Sequence, residues 1–324
     1  MKELVVISGK GGTGKTSLTA ALAVLSSPCV VTDCDVDAPD LHLVLQPQTI
    51  QQQPFVGGRK ACIITSTCRK CGKCVELCRF GAIRHKKGDT ECEEGGFLID
   101  ALACEGCGVC VDHCPERAIE LRPYVNGQWY LSRFHGGYLF HATLDVGSEN
   151  SGKLVTQLRR AAHEFATKRG VPLILTDGPP GIGCPVIASL TGASLALIVT
   201  EPTVAGLHDF ERIARLCRQL GVPAVTVINK ADINPETSDR IANSSIRYGT
   251  DVIGMIPFDS DIVRAQMAAR SVVEVSDGPA ARAMRAIHST VMSRLEKALD
   301  VHSGEFITID VTQIDNVKSK GVTT

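Results

Sequence analysis

Two groups of residues in this 324-residue chain have types and spacings that can do chemistry. The first is a pair of cysteine tetrads, each reading C-x2-C-x2-C-x3-C: Cys68, Cys71, Cys74 and Cys78, then Cys104, Cys107, Cys110 and Cys114. Structural zinc normally takes paired cysteines, whereas a closely spaced triplet on a tight loop can aim three thiolates at three irons of one cluster. The second group is GKGGTGKT, residues 9–16, which satisfies G-x-x-x-x-G-K-[ST] between an apolar strand and a helix. The cradle Gly9, Gly11, Gly12, Thr13, Gly14 and Ser17 lets backbone N–H groups curl around phosphate oxygens, and the following helix adds its N-terminal dipole. Lys15 is expected at the β- and γ-phosphates of a nucleotide, and Thr16 is expected to give its hydroxyl to Mg2+.

The tetrads belong to a longer duplication. CRKCGKCVELCRFGAI (68–83) and CEGCGVCVDHCPERAI (104–119) align at an offset of 36 residues. This run resembles the bacterial ferredoxin signature, in which the fourth cysteine of each tetrad serves the other cluster. The resemblance implies two [4Fe–4S] clusters, one on Cys68, Cys71, Cys74 and Cys114, the other on Cys104, Cys107, Cys110 and Cys78. Pro115 follows the second tetrad as the signature expects, but Arg79 takes that place after the first. A cation there raises the potential of the cluster on Cys78 if it faces it, and does little if it faces solvent. No export signal is evident, because residues 3–8 already read as a strand, so a disulfide framework is not expected. Cys29, Cys34, Cys62, Cys92 and Cys217 have no partner at ligand spacing and read as small core residues.

Lys10 is a second lysine inside the phosphate loop. In the form KGGTGKT the loop resembles the deviant Walker A motif of the MinD/ParA/Mrp ATPases (SIMIBI class) and of the nitrogenase iron protein. That resemblance implies an ATP-sandwich homodimer in which Lys10 reaches the phosphates of the partner's ATP. It also assigns TDCDVDAPDLH (32–42) to switch I, with Asp35 positioning the attacking water and Asp33 in the magnesium shell. Asp37 and Asp40 stay open between catalysis and a surface or helix-capping role. LILTDGPPGIG (173–183) matches the Walker B and switch II position, where Asp177 bonds magnesium through water. VINKAD (227–232) resembles the base-recognition loop, with Asn229 toward adenine or capping a helix, and Pro257 and Asp259 as further adenine-side candidates. Cys184 lies seven residues after Asp177, where the nitrogenase iron protein carries a cysteine that ligates a cluster shared by two subunits. A second cysteine of that kind is not found here, and ordinary packing is the alternative for Cys184.

The elements that position these groups follow a strand–helix alternation. Strands are expected at 3–8, 29–33, 172–177, 194–200, 223–229 and 251–256, and helices at 15–25, 151–169, 204–220, 235–248, 260–270 and 279–299. Short apolar runs alternating with helical patterns predict an α/β fold with a doubly wound, mostly parallel sheet. Residues 55–142 break the rhythm and read as an inserted small α+β ferredoxin-like domain, leaving 1–54 and 143–324 as the P-loop domain. A last strand is expected from 304 onward.

Composition narrows the function. Lys+Arg (34) and Asp+Glu (35) nearly cancel, which gives no long-range attraction to nucleic acid. No apolar run approaches the ~18 residues of a membrane span, so no membrane insertion is expected and a soluble cytoplasmic protein is. The expected reaction is ATP + H2O → ADP + phosphate, weak until the dimer closes and coupled to electron transfer through the clusters. An alternative is a carrier or assembly ATPase for iron–sulfur or other metal cofactors. A positioning ATPase of the MinD or ParA kind is less expected, because the C-terminal GEFITIDVTQIDNVKSK lacks a basic amphipathic helix. The redox partner or client metalloprotein is not named by the sequence.

Overall fold

The computed structural model describes residues 1–86, 96–145 and 152–298. Cys92 and the strand expected from 304 onward lie outside the described residues.

The alternation seen in the sequence becomes β1 (Lys2–Ser8), α1 (Lys15–Leu25), β2 (Cys29–Asp33), then, after the insert, α5 (Gly152–Arg169), β8 (Leu173–Pro180), α6 (Cys184–Leu190), β9 (Leu195–Thr200), α7 (Val204–Gln219), β10 (Ala224–Asn229), α8 (Pro235–Tyr248), β11 (Asp251–Ile256), α9 (Ser260–Met267), α10 (Val272–Val275) and α11 (Pro279–Lys297). β2 and β9 are buried along their whole length, as parallel strands covered on both faces must be. One face packs Leu4, Val6, Leu175 and Leu197 against α1, α10 and α11 through Leu18, Leu22, Met284 and Ile287. The other packs Val5, Ile7 and Ile198 against α6 and α7 through Val186, Leu190, Phe210 and Ile213. The short helices α2 (Leu41–Leu45), α6 and α10 were not anticipated, being too brief to show a helical period.

The remaining elements are β3 (Gln48–Ile63), α3 (Lys73–Leu77), β4 (Ile83–Lys86), β5 (Gly96–Ile99), α4 (Val109–Asp112), β6 (Ile119–Phe134) and β7 (Gly137–Leu144). Among the described residues the sheet has nine strands, ordered β11-β10-β9-β1-β8-β2-β7-β6-β3, of which six were expected. β7 pairs parallel with β2, and β6 and β3 then pair antiparallel at the edge. The expected insert boundaries, 55 and 142, therefore fall inside β3 and β7. β3 and β6 are sixteen residues each and pair from Gln48↔Arg133 to Ile63↔Ile119. Their Gln48 and Arg133 end belongs to the main sheet, and their Ile63 and Ile119 end carries both cysteine loops. Pro54, Gly57 and Gly58 hid β3 in the sequence. An edge strand tolerates them because, among the described residues, one of its sides lacks a strand partner.

Candidate functional site

The phosphate loop leaves the C-terminal end of β1 and enters α1 at Lys15. Gly14 adopts φ 85°, and a Cβ there would lie 2.3 Å from Asn229 Nδ2, so only glycine fits. Asn229, at the end of β10, donates from Nδ2 to Thr13 O (2.8 Å), while its Oδ1 accepts from Lys230 N (3.0 Å). The residue expected at the base thus ties the loop to β10, two strands from β1 in the sheet. A cleft of about 400 Å3 opens over the loop, lined by residues 11–17, Asp35, Asp40, Asn229, Lys230, Pro257 and Phe258. Asp259 also borders it, but its carboxylate accepts from Asp261 N and Ala280 N, capping α9 and the start of α11.

Two adjacent strands, β2 and β8, bring the acids together. Buried Lys15 donates from Nζ to Asp177 Oδ1 at 3.0 Å and stands 3.6 Å from Asp35 Oδ2. Thr16 Oγ1 donates to Asp177 Oδ2 (2.8 Å), and Thr19 Oγ1 to Asp177 Oδ1 (3.0 Å). Asp33 is fully buried beside them, accepting from Asp35 N (3.1 Å) and from Leu41 N at the start of α2 (3.3 Å). Burial works against the Lys15 ammonium, but Asp177, Asp35 and Asp33 outweigh it and raise its pKa. Burial and then the Asp177 charge push the Asp33 carboxyl well above the usual range, and burial likewise raises Asp35 against the pull of Lys15. A site that gathers three carboxylates around one lysine and a threonine hydroxyl has the donor set of a magnesium phosphate site. The buried Thr13 hydroxyl has no hydrogen-bond partner among the described residues, which fits a loop built to meet an oxygen-rich ligand.

Lys10 does not reach the cleft. It pairs with Glu201 at 3.3 Å, and Glu201 also holds Lys230 at 2.5 Å. The sequence reading missed Glu201, Lys230 and Thr19. The signal for the first two was their place just after apolar strands, where α/β sheets gather ligand groups. Asp37 is exposed, Asp40 sits at the N-cap position of α2 without a side-chain cap bond, and Cys184 is exposed at the start of α6.

The second site hangs on the far end of the β3–β6 ribbon, and its backbone repeats as its sequence does. Lys70 and Gly106, Gly72 and Gly108, and Gly81 and Arg117 all have positive φ at the 36-residue offset. The pairing Ile63↔Ile119 recurs as Ile83↔Ile99, and Ile64 N→Ala118 O recurs as Asp100 N→Ala82 O, both at 2.8 Å. Two small cavities result. One is lined by Cys68, Cys71, Cys74 and Cys114, the other by Cys104, Cys107, Cys110 and Cys78. Each cavity takes three cysteines from one loop and the fourth from the other. Among the described residues no three of His, Cys, Asp and Glu converge on a single-ion site; a four-iron cluster asks instead for four thiolates, each on its own iron. Arg69 and Lys73 border the first cavity, Glu105 and Phe80 the second. Arg79 is exposed and lines neither. Cys62 is half-buried, while Cys29, Cys34 and Cys217 are buried core residues.

Comparison with known proteins agrees with the larger of the two units. An uncharacterized protein of Methanocaldococcus jannaschii is 34% identical over 263 residues, 80% of this chain and 86% of its own. An iron-sulfur cluster carrier protein of Pyrococcus abyssi is 26% identical over 161 residues, 45% of this chain and 54% of its own. Among solved structures, the septum site-determining protein MinD of Pyrococcus horikoshii, complexed with Mg-ADP, superposes with a TM-score of 0.53 at 16% identity, covering 90% of this chain and 95% of that one. The family model of the CobQ/CobB/MinD/ParA nucleotide binding domain matches residues 4–272. The chain belongs to this family of P-loop nucleotide-binding proteins.

Proposed function

We propose that this protein is an ATP-hydrolysing iron–sulfur protein that closes into an ATP-dependent homodimer and couples nucleotide turnover to electron transfer. The observation that carries the reading is the sorting of eight cysteines into two cavities, each with three thiols from one tetrad and one from the other. Cys68, Cys71, Cys74 and Cys114 hold one [4Fe–4S] cluster and Cys104, Cys107, Cys110 and Cys78 the second. When bound, such clusters supply one-electron redox chemistry. The module that holds them spans about residues 61–121, narrower than the 55–142 read from sequence.

At the nucleotide, Lys15 exchanges Asp177 and Asp35 for the β- and γ-phosphates of ATP. The Thr16 hydroxyl would hold Mg2+, with Asp177 bonding it through water and Asp33 in the magnesium shell. Freed from Lys15, the Asp35 carboxylate accepts a hydrogen bond from the attacking water and orients it toward the γ-phosphate. Lys10 of each subunit stabilises charge on the phosphates bound by the other, so hydrolysis stays slow until the dimer closes. Asn229 and Pro257 border the base. Among the described residues no helix is long and apolar enough to cross a membrane.

A second reading, a carrier or assembly ATPase for metal cofactors, is favoured by one observation: exposed Cys184 at the start of α6 offers a thiol outside both cavities. Anaerobic purification with iron and sulfide analysis separates the readings. Two resident clusters give about eight iron and eight sulfide per chain, unchanged in Cys184→Ser. A further increment of iron per dimer that Cys184→Ser removes supports the carrier. Near-stoichiometric zinc without labile sulfide defeats both.

A further inference from the structure

The order β10-β9-β1 in the parallel sheet places the residues that follow these three strands side by side: Lys230, Glu201 and Lys10. Glu201 is nearly buried, at 9% exposure, and its carboxylate is shared, Oε2 with Lys10 at 3.3 Å and Oε1 with Lys230 at 2.5 Å. Its backbone has no room to swing. Thr203 N donates to Glu201 O at 2.8 Å, and a Cβ on Gly206 would fall 2.2 Å from the same oxygen. Lys230 adopts φ 55°, a conformation that favours glycine, with its N–H held by Asn229 Oδ1. A strained lysine beside a fixed carboxylate points to a use for its charge there.

We propose that Glu201 is a positioning residue that stores Lys10 inside its own subunit, and that Lys230 makes its release possible. The inference rests on the proposed ATP-dependent dimer and on Lys10 acting across it. For Lys10 to reach the partner's nucleotide, the Lys10–Glu201 pair must open. Opening it would leave an isolated, nearly buried carboxylate, which is costly. With Lys230 still bound, Glu201 keeps one cation throughout. Glu201 therefore opposes dimer closure, while Lys230 lowers that opposition.

The test is the dimer dissociation constant by analytical ultracentrifugation with Mg2+ and a non-hydrolysable ATP analogue. ADP affinity and thermal stability of each variant are measured alongside. A partly exposed ion pair is worth about a threefold factor, and a symmetric dimer opens two, so Glu201→Gln should dimerise about tenfold more tightly. Lys230→Met should dimerise less tightly than the parent. In the double variant Glu201→Gln/Lys230→Met the penalty of Lys230→Met should vanish, since no carboxylate is left to strand. A merely structural role for Glu201 would weaken dimerisation and lower ADP affinity or stability together. Unchanged or weaker dimerisation in Glu201→Gln overturns the proposal, as does a Lys230→Met penalty that persists in the double variant. If neither parent nor Glu201→Gln dimerises with the analogue, the dimer reading itself fails and this storage role falls with it.

Discussion

The nucleotide site and the cysteine module are held together in opposite ways. Around the phosphate loop every element is anchored by the sheet. Lys15, Thr16, Thr19 and Asp177 satisfy one another, and the strands beneath them are packed on both faces. In the module at the end of the ribbon, the buried cluster consists of Ala61, Ala82, Cys104 and Ile119, and five of the groups packed on it are Cys74, Cys78, Cys110, Cys114 and Ile63. The cysteine sulfurs are themselves much of the core. On the proposed reading the first site is built before its ligand arrives, whereas the second draws part of its stability from its ligand, because metal binding there would also be folding free energy.

The largest effects should divide along that line. Lys15→Ala should lose nucleotide binding altogether in a chain that still folds and keeps its iron. Lys10→Ala and Asp35→Ala should bind ATP while slowing turnover by about a hundredfold or more, since each acts on the transition state. A wild-type hydrolysis rate in Lys10→Ala would remove that lysine from the reaction. Conversely, stripping iron with a chelator should make the stretch between β3 and β6 sensitive to protease and leave ADP affinity almost untouched. Protease resistance in the iron-free protein would erase the contrast between the two regions.

A smaller effect tests the anchoring of the sheet. Glu3, fully buried on β1, accepts from Arg159 Nε (2.9 Å) and Nη2 (2.6 Å), from His163 (2.8 Å) and from Thr176 (2.7 Å). Burial alone would raise the Glu3 carboxyl, but Arg159 and His163 hold it well below the usual carboxylate range. Arg159 also donates to Ala188 O and Thr191 O at the end of α6, so it ties that helix to the first strand. Arg159→Met leaves that carboxylate without its cation, and chemical denaturation should show a loss of about 3–5 kcal/mol. Equal stability would mean the pair is dispensable.

The smallest effect lies where the two regions join. His141 on β7 stacks against His42 of α2 and Tyr130 of β6, and bonds Ser132 Oγ at 2.9 Å. Burial first, and then the His42 charge, lower its pKa from 6.5 to about 4. The folded state therefore prefers neutral His141, and this contribution is present above the unfolded pKa and lost as pH falls from about 6.5 to about 4. The melting temperature should decline over that window, and His141→Gln should flatten the decline. An identical slope in the variant would place the pH dependence elsewhere.

Much of this was legible in sequence because local rules governed it. The six sheet strands expected from apolar runs and the helix from Lys15 appear within a residue of their expected bounds, except that β8 runs three residues past 177 to Pro180; buried strands such as β2 and β9 leave no other pattern. The crossed cysteine sets are what the resemblance to the bacterial ferredoxin signature implies, and the two cavities sort the cysteines in the same way. What stayed hidden depends on partners far away in the chain. β3 reads as a polar, proline- and glycine-broken stretch until β6 is laid beside it, and Glu201 looks like an ordinary loop carboxylate until Lys10 and Lys230 flank it. Asn229 shows the same limit, since its bond to Thr13 O joins residues 216 positions apart.

The central claim is that the two sites communicate, and the route is short: Asp33 holds the first N–H of α2, and His42 on that helix stacks on β7, which pairs with the ribbon strand β6. Linkage makes any such coupling reciprocal, so a change in cluster potential with nucleotide must equal the change in nucleotide affinity with reduction. The most direct measurement is the affinity of Asp35→Ala for ATP in the oxidised and the dithionite-reduced protein, with reduction potentials recorded with and without nucleotide. The account predicts affinities that differ by about tenfold, or ~1.4 kcal/mol, matched by a potential shift of about 60 mV for one electron. Equal affinities and unchanged potentials would contradict it, leaving two independent sites on one chain.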